Sequence, residues 1–584
     1  MASTLRAGGA NARERTVVVL GAGINGAALA RELALSGVGV VVADVEDIAA
    51  GATAWSTRLI HGGLRYLEYG EIGLVRESLQ ERNRLVRLAA HLVRPLEFYL
   101  PLSRRSGGLI AAAARLLGRE SWARSWEDGR GRGSRAVGLG LTLYDLLAAG
   151  AGWPRHRMVR AGAAGMPPVD PRAFPLAAVY SDAQLLFPER FTVELLVDGR
   201  AVAAATGTRF DVCTHRRLVL DATGRLDIGP SPRGGDALSL RPDAIVNATG
   251  AWVDRTLDAC FPGMPHGGGP GLIGGTKGSH LVLHCPPLRE ALGQRGIYAE
   301  AADRRPVFVL PFGPALVLVG TTDIPFHGDP AEACADESEI GYLLAAVGRL
   351  FPQLVVRRDA VQQHYCGVRP LPAGGGSSPA GITRRHLLVR HRAAPLPAWS
   401  IVGGKLTTCR SLAELAATEV LRTLDLPVRA TSRERPLPGD YGPATRADLL
   451  RRVRAEAERS GIGDAEAVAG PLVDLFGSRA VDVWGGAGAT APGEPARLRG
   501  VDLPAAAVGL CVREEWAVTL DDVVERRLML AFHERLCRDT LTDVAAALVR
   551  CGALKPDRAR VGVESCAARL AARYGRVLPD TVPV

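Results

Sequence analysis

Gly21-Ala-Gly23-Ile-Asn-Gly26 is the segment that most narrows the folds open to this chain. It follows Thr16-Val-Val-Val-Leu20, a short β-branched apolar run of the kind that forms a buried parallel strand. Ala27 to Ser36, rich in Ala and Leu, reads as a helix that Gly37 ends. Gly39-Val-Val-Val-Ala43 then reads as a second strand, and Asp44 stands at its end, 23 positions after Gly21. Each glycine has its own physical task. Gly21 permits the tight strand-to-helix turn, Gly23 lets the backbone approach a pyrophosphate, and Gly26 lets the helix pack close on the strand. The helix N-terminus offers free N–H groups to phosphate oxygens, and Asp44 offers a carboxylate to a ribose diol. Glycines in this strand–helix–strand setting point to a dinucleotide-binding α/β domain.

Two later segments favour a flavin over a nicotinamide. Asp243-Ala-Ile-Val-Asn-Ala-Thr-Gly250 reads as a strand ending in small residues, where a ligand can come close. Trp399-Ser-Ile-Val-Gly-Gly-Lys-Leu-Thr-Thr408 is another apolar strand, running into Gly403-Gly404, with a helix expected from Ser411 to about Leu424. A helix N-terminus facing a flavin ring stabilises the negative charge of its reduced form, and a nicotinamide has no need of one.

Composition limits the remaining classes. With 584 residues the chain is long enough for several domains or one composite body with an appendage. Lys and Arg number 71 against 61 acids, a net +10 that suits a phosphorylated substrate, an anionic lipid surface or simply a solvated face. No basic run is interleaved with aromatics, so no nucleic-acid partner is expected. The ten Cys are dispersed, with no Cys-x-x-Cys and no His-Glu-x-x-His, so free thiols, a reducing compartment and no metal are expected. Met1 to Arg15 lacks the apolar core of a secretory signal and is expected to be disordered. No run is long and apolar enough to span a bilayer. Ala136 to Trp153 comes nearest, and it follows the Arg-rich stretch Pro101 to Arg135, so it reads either as an interfacial contact or as a loop followed by a buried helix.

Further along, the chain carries Ser56-Thr-Arg-Leu-Ile-His-Gly-Gly-Leu-Arg-Tyr-Leu67, Leu74-Val-Arg-Glu-Ser-Leu79, Ala90-His-Leu92, Lys277-Gly-Ser-His280, Gly320-Thr-Thr-Asp323, Gly367-Val-Arg-Pro-Leu371, Ile382-Thr-Arg384 and Gly403-Gly-Lys-Leu-Thr-Thr408. In these motifs and in their order, from about residue 16 to 425, it resembles the FAD-dependent glycerol-3-phosphate dehydrogenases. The resemblance implies an α/β fold in which a Rossmann-type FAD-binding domain is interleaved with an antiparallel-sheet substrate domain, followed by an α-helical C-terminal domain. The implied division has FAD-binding segments at about 16–90, 176–260 and 395–425, substrate-binding segments at about 91–175 and 261–394, and the helical domain at 430–584. It further implies oxidation of sn-glycerol 3-phosphate to dihydroxyacetone phosphate, a hydride passing from C2 to flavin N5 and electrons then passing to a quinone. A cytoplasmic protein, peripheral on the inner face of the membrane, is implied as well, and a homodimer is compatible with the chain. Three stretches depart from the family pattern: Gly51-Ala-Thr-Ala54 keeps only Thr53 of a hydroxyl cluster, Ser106 to Arg135 is long, and Leu186 to Arg241 matches poorly.

On this resemblance the FAD contacts fall to Gly21, Gly23, Asn25, Gly26, Asp44, Thr53, Ser56, His61, Gly62, Gly63, Thr249, Gly250, Gly404, Lys405, Leu406 and Thr407. A phosphate dianion needs fixed cations, and Arg supplies bidentate forks. Arg65, Arg369 and Arg384 are the candidates, with Lys405, Tyr66 and Thr321 in support. The C2 hydroxyl needs a base, a task suited to His. His280 is preferred and His61 is placed on the flavin side, although either ring would serve as base. Arg369 or Lys405 would polarise the developing alkoxide. An oxidase that uses oxygen, a related FAD oxidoreductase of another small substrate, and a flavin-bound scaffold without turnover all remain open. Thr519-Leu-Asp-Asp522 has the character of a helix start and predicts a helix over Val523 to Leu536 in a docking domain.

Overall fold

The computed structural model describes residues 15–67, 70–103, 134–150, 152–232, 234, 236–262, 271–373, 385–485 and 496–582. The expected disorder before residue 15, most of the Arg-rich stretch 106–135, and Arg384 lie outside the described residues.

The β-branched run forms β1 (Thr16–Leu20), the Ala/Leu segment forms α1 (Ile24–Leu35), and the second valine run forms β2 (Gly39–Ala43). β1 is central in a six-stranded sheet, paired in parallel with β2 on one side and with Ala244–Asn247 on the other. Ala398–Val402 and Phe210–Cys213 extend the sheet in parallel on either side, and Leu387–Arg390 closes one edge antiparallel. Both faces are covered, so the strands carry valines that point both ways. Val17, Val18 and Val19 are wholly buried, each contributing roughly 1.5–3 kcal/mol through removal of apolar surface from water. The sheet is parallel, so the loops following β1, Ala244–Asn247 and Ala398–Val402 all open at one end, the ordinary place for a ligand in such a sheet.

A second sheet has ten strands, antiparallel except where Arg295–Glu300 runs parallel to Val93–Leu102. Thr276–His284 lies between Leu316–Gly320 and Val361–Arg369, which brings three of the sequence motifs side by side. Leu176–Leu185, assigned from sequence to the second FAD-binding segment, belongs to this sheet, because it pairs along its whole length with Val93–Leu102. Leu387–Arg390, assigned to the substrate segment, sits instead in the dinucleotide sheet. Leu218–Leu220, Leu226–Ile228 and Leu238–Leu240 form a small antiparallel sheet.

The C-terminal part is helical, with Arg446–Arg459, Ala465–Phe476, Ala506–Glu514, Arg538–Arg550 and Ala559–Tyr574 as its main elements. Its apolar core is continuous with Trp55, Phe98 and Tyr365 in the larger body. The helix expected over Val523 to Leu536 begins where the hydroxyl cap foretells, since Asp522 N–H donates to Thr519 Oγ1. It does not run through to Leu536. A π-helical turn spans Asp522–Arg527, and Met529 takes a left-handed conformation before a short 3-10 turn. The wide turn directs Arg526 and Arg527 together onto the buried Asp47. The Ala136 to Trp153 segment forms a helix, Ser134–Leu147, which buries Val137, Leu141 and Tyr144 and exposes Leu139 and Leu146.

Candidate active site

A cavity of about 1200 Å³ lies between the two sheets, larger than the roughly 300–1,000 Å³ of ordinary small-molecule pockets. Gly21, Gly23, Asn25, Asp44 and Thr53 line one part of it, and His280, Thr321 and Arg369 another. Ser56, His61, Gly63, Arg65, Tyr66, Thr249, Gly250, Gly404, Lys405, Leu406 and Thr407 line it as well. Gly26 and Gly62 stand behind this lining. A Cβ on Gly26 would meet Gly21 O at 2.0 Å, so Gly26 serves the helix–strand packing. Gly62 presents its N–H to Tyr144 Oη and Asp182 Oδ1, which fixes the turn before Arg65.

The dinucleotide end is pre-shaped. Gly21 has φ +101, and a Cβ there would strike Ala248 O at 2.7 Å. Helix α1 has no acid in its first turn, so its N-terminal partial charge is left for an anion. Thr53 Oγ1 accepts the Ile24 N–H, tying the following loop to that terminus. Asp44 accepts from Ala22 N–H at 2.7 Å and from Glu46 N–H at 2.9 Å. Burial pushes its carboxyl pKa up, against the lowering effect of those two bonds. Gly250, at φ +60, has open space where a Cβ would stand, and the buried Asn25 Oδ1 has no hydrogen-bond partner within the protein. Close-approach glycines, a phosphate-facing helix end and a buried polar atom awaiting a donor fit a dinucleotide such as FAD.

At the opposite end, Arg369 closes its strand with Nη2 donating to Thr321 Oγ1 at 2.8 Å and to Thr322 O at 3.1 Å. Its Nη1 donates to Asp323 Oδ1 at 2.9 Å. These three contacts hold the guanidinium plane at the cavity wall. Arg65 and Tyr66 lie on the short helix Leu64–Leu67, and Lys405 Nζ stands 3.8 Å from the centre of the Tyr66 ring. A cation over an aromatic face is fixed in place while keeping its charge.

His280 is almost wholly buried. Its Nε2 is 2.9 Å from Thr57 Oγ1, and its ring stacks on Tyr365 at a centroid distance of 4.9 Å. Burial, followed by the nearby charges of Arg369 and Arg58, holds its pKa well below the usual 6.5. The resting ring is therefore neutral and able to take up a proton. Thr407 Oγ1 accepts the His61 N–H, joining the His-Gly-Gly segment to the loop after Ala398–Val402.

Sequence reading passed over Thr57, Arg58 and Asp323 as site residues. All three stand inside the quoted motifs and line the cavity, so the signal was present. Arg58 pairs with Glu189 at 2.6 Å, a partner in the stretch Leu186 to Arg241 that departs from the family pattern. Arg384 lies outside the described residues, while its neighbour Arg385 lines the cavity.

Residues 16–391 match the family model described as FAD dependent oxidoreductase. A glycerol-3-phosphate dehydrogenase of Synechocystis sp. is 33% identical over 537 residues, covering 88% of each chain. A D-erythritol 1-phosphate dehydrogenase of Brucella abortus is 32% identical over 524 residues, covering 88% of this chain and 94% of the relative. Among solved structures, a glycerol-3-phosphate dehydrogenase from Bacillus halodurans complexed with FAD superposes with a TM-score of 0.67 at 19% identity, over 96% of this chain and 95% of the other.

Proposed function

We propose, from the premise that this chain belongs to the FAD-dependent oxidoreductases and within them to the glycerol-3-phosphate dehydrogenase family, that it oxidises sn-glycerol 3-phosphate to dihydroxyacetone phosphate and passes the electrons to a quinone. The chain is an enzyme and its cofactor is FAD. The observation that carries the substrate assignment is the gathering of Arg65, Arg369, Lys405 and His280 on the wall of the cavity that also holds the dinucleotide loop.

When bound, FAD supplies a two-electron acceptor for the hydride that leaves C2. It would be held by Gly21 to Asn25 and Asp44 at its nucleotide end, and by His61, Thr249, Gly250 and the Gly404–Thr407 loop nearer the ring. Arg369 and Arg65 bind the phosphate dianion, and the planar fork of Arg369 is already fixed by Thr321 and Asp323. Lys405, held over Tyr66 on the same cavity wall, supplies the positive charge that would stabilise the alkoxide developing at C2. His280 takes the C2 hydroxyl proton. The charge of Arg369 is one cause of its low proton affinity, so a phosphate that neutralises Arg369 raises that affinity at the moment a base is needed.

A second reading comes from the relative named for D-erythritol 1-phosphate: a longer phosphorylated polyol would use the same phosphate cations and the same base. Anaerobic titration of the flavin absorbance with each substrate separates the two. Bleaching by glycerol 3-phosphate is expected, and its absence sinks the first reading. Reduction of a quinone analogue without release of hydrogen peroxide is expected, whereas peroxide release would favour an oxidase. No helix among the described residues is long and apolar enough to cross a membrane. A peripheral contact is supported by the outer face of Ser134–Leu147, with Leu139 and Leu146 exposed, close in sequence to exposed Arg155 and Met158. Leu139→Glu combined with Leu146→Glu should release the protein from anionic vesicles.

A further inference from the structure

Glu339 does not line the cavity, yet its carboxylate joins the two strand ends that carry the cavity's substrate-facing groups. It sits near the start of the helix Glu337–Leu350 and is 2% exposed. Its Oε1 accepts from Ser279 Oγ at 2.9 Å and from Thr322 Oγ1 at 2.7 Å. Its Oε2 accepts from Lys277 Nζ at 2.7 Å. Thr322 Oγ1 in turn accepts the Ser279 N–H at 2.8 Å, closing a ring of hydrogen bonds between Thr276–His284 and the turn after Leu316–Gly320. His280 directly follows Ser279. Thr321 and Asp323 flank Thr322, and both hold the Arg369 guanidinium.

A carboxylate this deeply buried is costly unless it is paired and its lone pairs are filled. Lys277 supplies the charge, and the two hydroxyls with the Asp336 N–H supply the hydrogen bonds. Burial lowers the Lys277 pKa, but the bond and charge of Glu339 outweigh that and leave it raised, so the ammonium stays charged. Asp336 completes a capping box with Glu339, which fixes the carboxylate to the helix end as well. The partners are not scattered through the scaffold, since the two hydroxyl partners adjoin residues that face the cavity. The Lys and Ser of the Lys277-Gly-Ser-His280 motif thus act behind the sheet, and its His acts in front.

We propose that Glu339 is a positioning residue for the substrate-binding end, setting Arg369 and His280 through Thr322 and Ser279 with Lys277 as its counter-ion. The inference rests on Arg369 binding the substrate phosphate, as in the function proposed above.

The test uses FAD-loaded wild type, Glu339→Gln, Thr322→Val and Thr322→Ser, assayed with glycerol 3-phosphate and a dye acceptor. In parallel, inorganic phosphate is titrated against the flavin spectrum. The expected result is a KM and a phosphate Kd raised about tenfold in Glu339→Gln and Thr322→Val, the scale of one lost charge-assisted hydrogen bond. A smaller change is expected in kcat, with flavin content and melting temperature near those of wild type. Thr322→Ser, which keeps the hydroxyl, should restore both constants. Unchanged KM and phosphate affinity in Glu339→Gln overturn the proposal, as does a Thr322→Ser variant as impaired as Thr322→Val. Loss of flavin with kcat and KM failing together also overturns it, because that is the mark of a scaffold role. If glycerol 3-phosphate does not reduce the wild type, the functional reading falls and the phosphate titration still decides the role of Glu339. A wild type that does not bind phosphate removes the role of Arg369 and overturns the inference with it.

Discussion

Thr57 Oγ1 and His280 Nε2 lie 2.9 Å apart, and this contact, together with the stack on Tyr365, fixes the imidazole plane. Burial, Arg369 and Arg58 hold the ring below its ordinary pKa of 6.5. The neutral form is the one that accepts a proton, so activity is retained above the His280 pKa and lost as pH falls through it. In the free enzyme that loss lies below pH 6.5. Once phosphate neutralises Arg369 the pKa rises, so the acid limb of kcat should lie at higher pH than the His280 limb of kcat/KM. Profiles between about pH 5 and 9 check this, allowing for the phosphate's own titration near pH ~6 in kcat/KM. His280→Asn should remove the kcat limb, and a limb that moves downward on substrate binding would contradict the coupling.

Arg369 makes three contacts that a lysine cannot reproduce together. Arg369→Ala should raise the KM for glycerol 3-phosphate by about 100-fold, as expected for losing a charged two-pronged contact. Arg369→Lys should recover only part of that, because the ammonium keeps the charge and loses the plane. Flavin content should stay unchanged in both variants. The measurement is the substrate concentration needed to bleach the flavin anaerobically, and an unaltered titration in Arg369→Ala would place the phosphate elsewhere.

Asp47 joins the helical C-terminal part to the loop beyond Asp44. Arg526 Nε donates to its Oδ2 at 2.6 Å, and Arg527 donates to both oxygens at 2.8 Å, with all three side chains buried. Asp47→Ala leaves two buried cations short of an acceptor, which costs about 3–5 kcal/mol. A melting temperature lowered by several degrees and faster flavin release are expected in thermal unfolding followed by tryptophan and flavin fluorescence. Arg527→Met in the Asp47→Ala background should recover part of the loss, since an apolar side chain of similar length has no charge to desolvate, whereas Arg526 is kept because it also pairs with the buried Asp522 and Glu525.

The parts of this molecule that sequence reading reached are those with local causes. β1, α1 and β2 follow from a valine run, a glycine turn and an Ala/Leu periodicity, each contained within a few residues. The motif-borne side chains His280, Arg369 and Lys405 line one cavity. What stayed hidden depends on long-range pairing. Leu176–Leu185 looks like any buried strand, and only its pairing with Val93–Leu102 assigns it to the larger sheet. The break at Leu528–Met529 in the expected helix accompanies the convergence of Arg526 and Arg527 on Asp47, nearly 500 residues away in sequence. Lys277 stood in a quoted motif, yet its task is visible only once Glu339 folds against it.

Gly26 and Gly250 make opposite demands, and alanine at each separates packing from ligand access. At Gly26 an added methyl would lie 2.0 Å from Gly21 O, a backbone atom that no side-chain rotation can move. Helix α1 must then shift off β1, carrying its N-terminal N–H groups away from the pyrophosphate position. Gly250 has φ +60 and empty space around the new Cβ, so alanine there brings only the left-handed strain of about 1–2 kcal/mol and places its methyl in the cavity. Gly26→Ala should therefore lose both melting temperature and flavin affinity. Gly250→Ala should lose flavin affinity with a far smaller change in the stability of the flavin-free protein. Flavin fluorescence titration of the two apoproteins, beside their unfolding curves, distinguishes these outcomes. Tight flavin binding by Gly26→Ala would mean that the close approach of helix to strand is not what shapes the phosphate site.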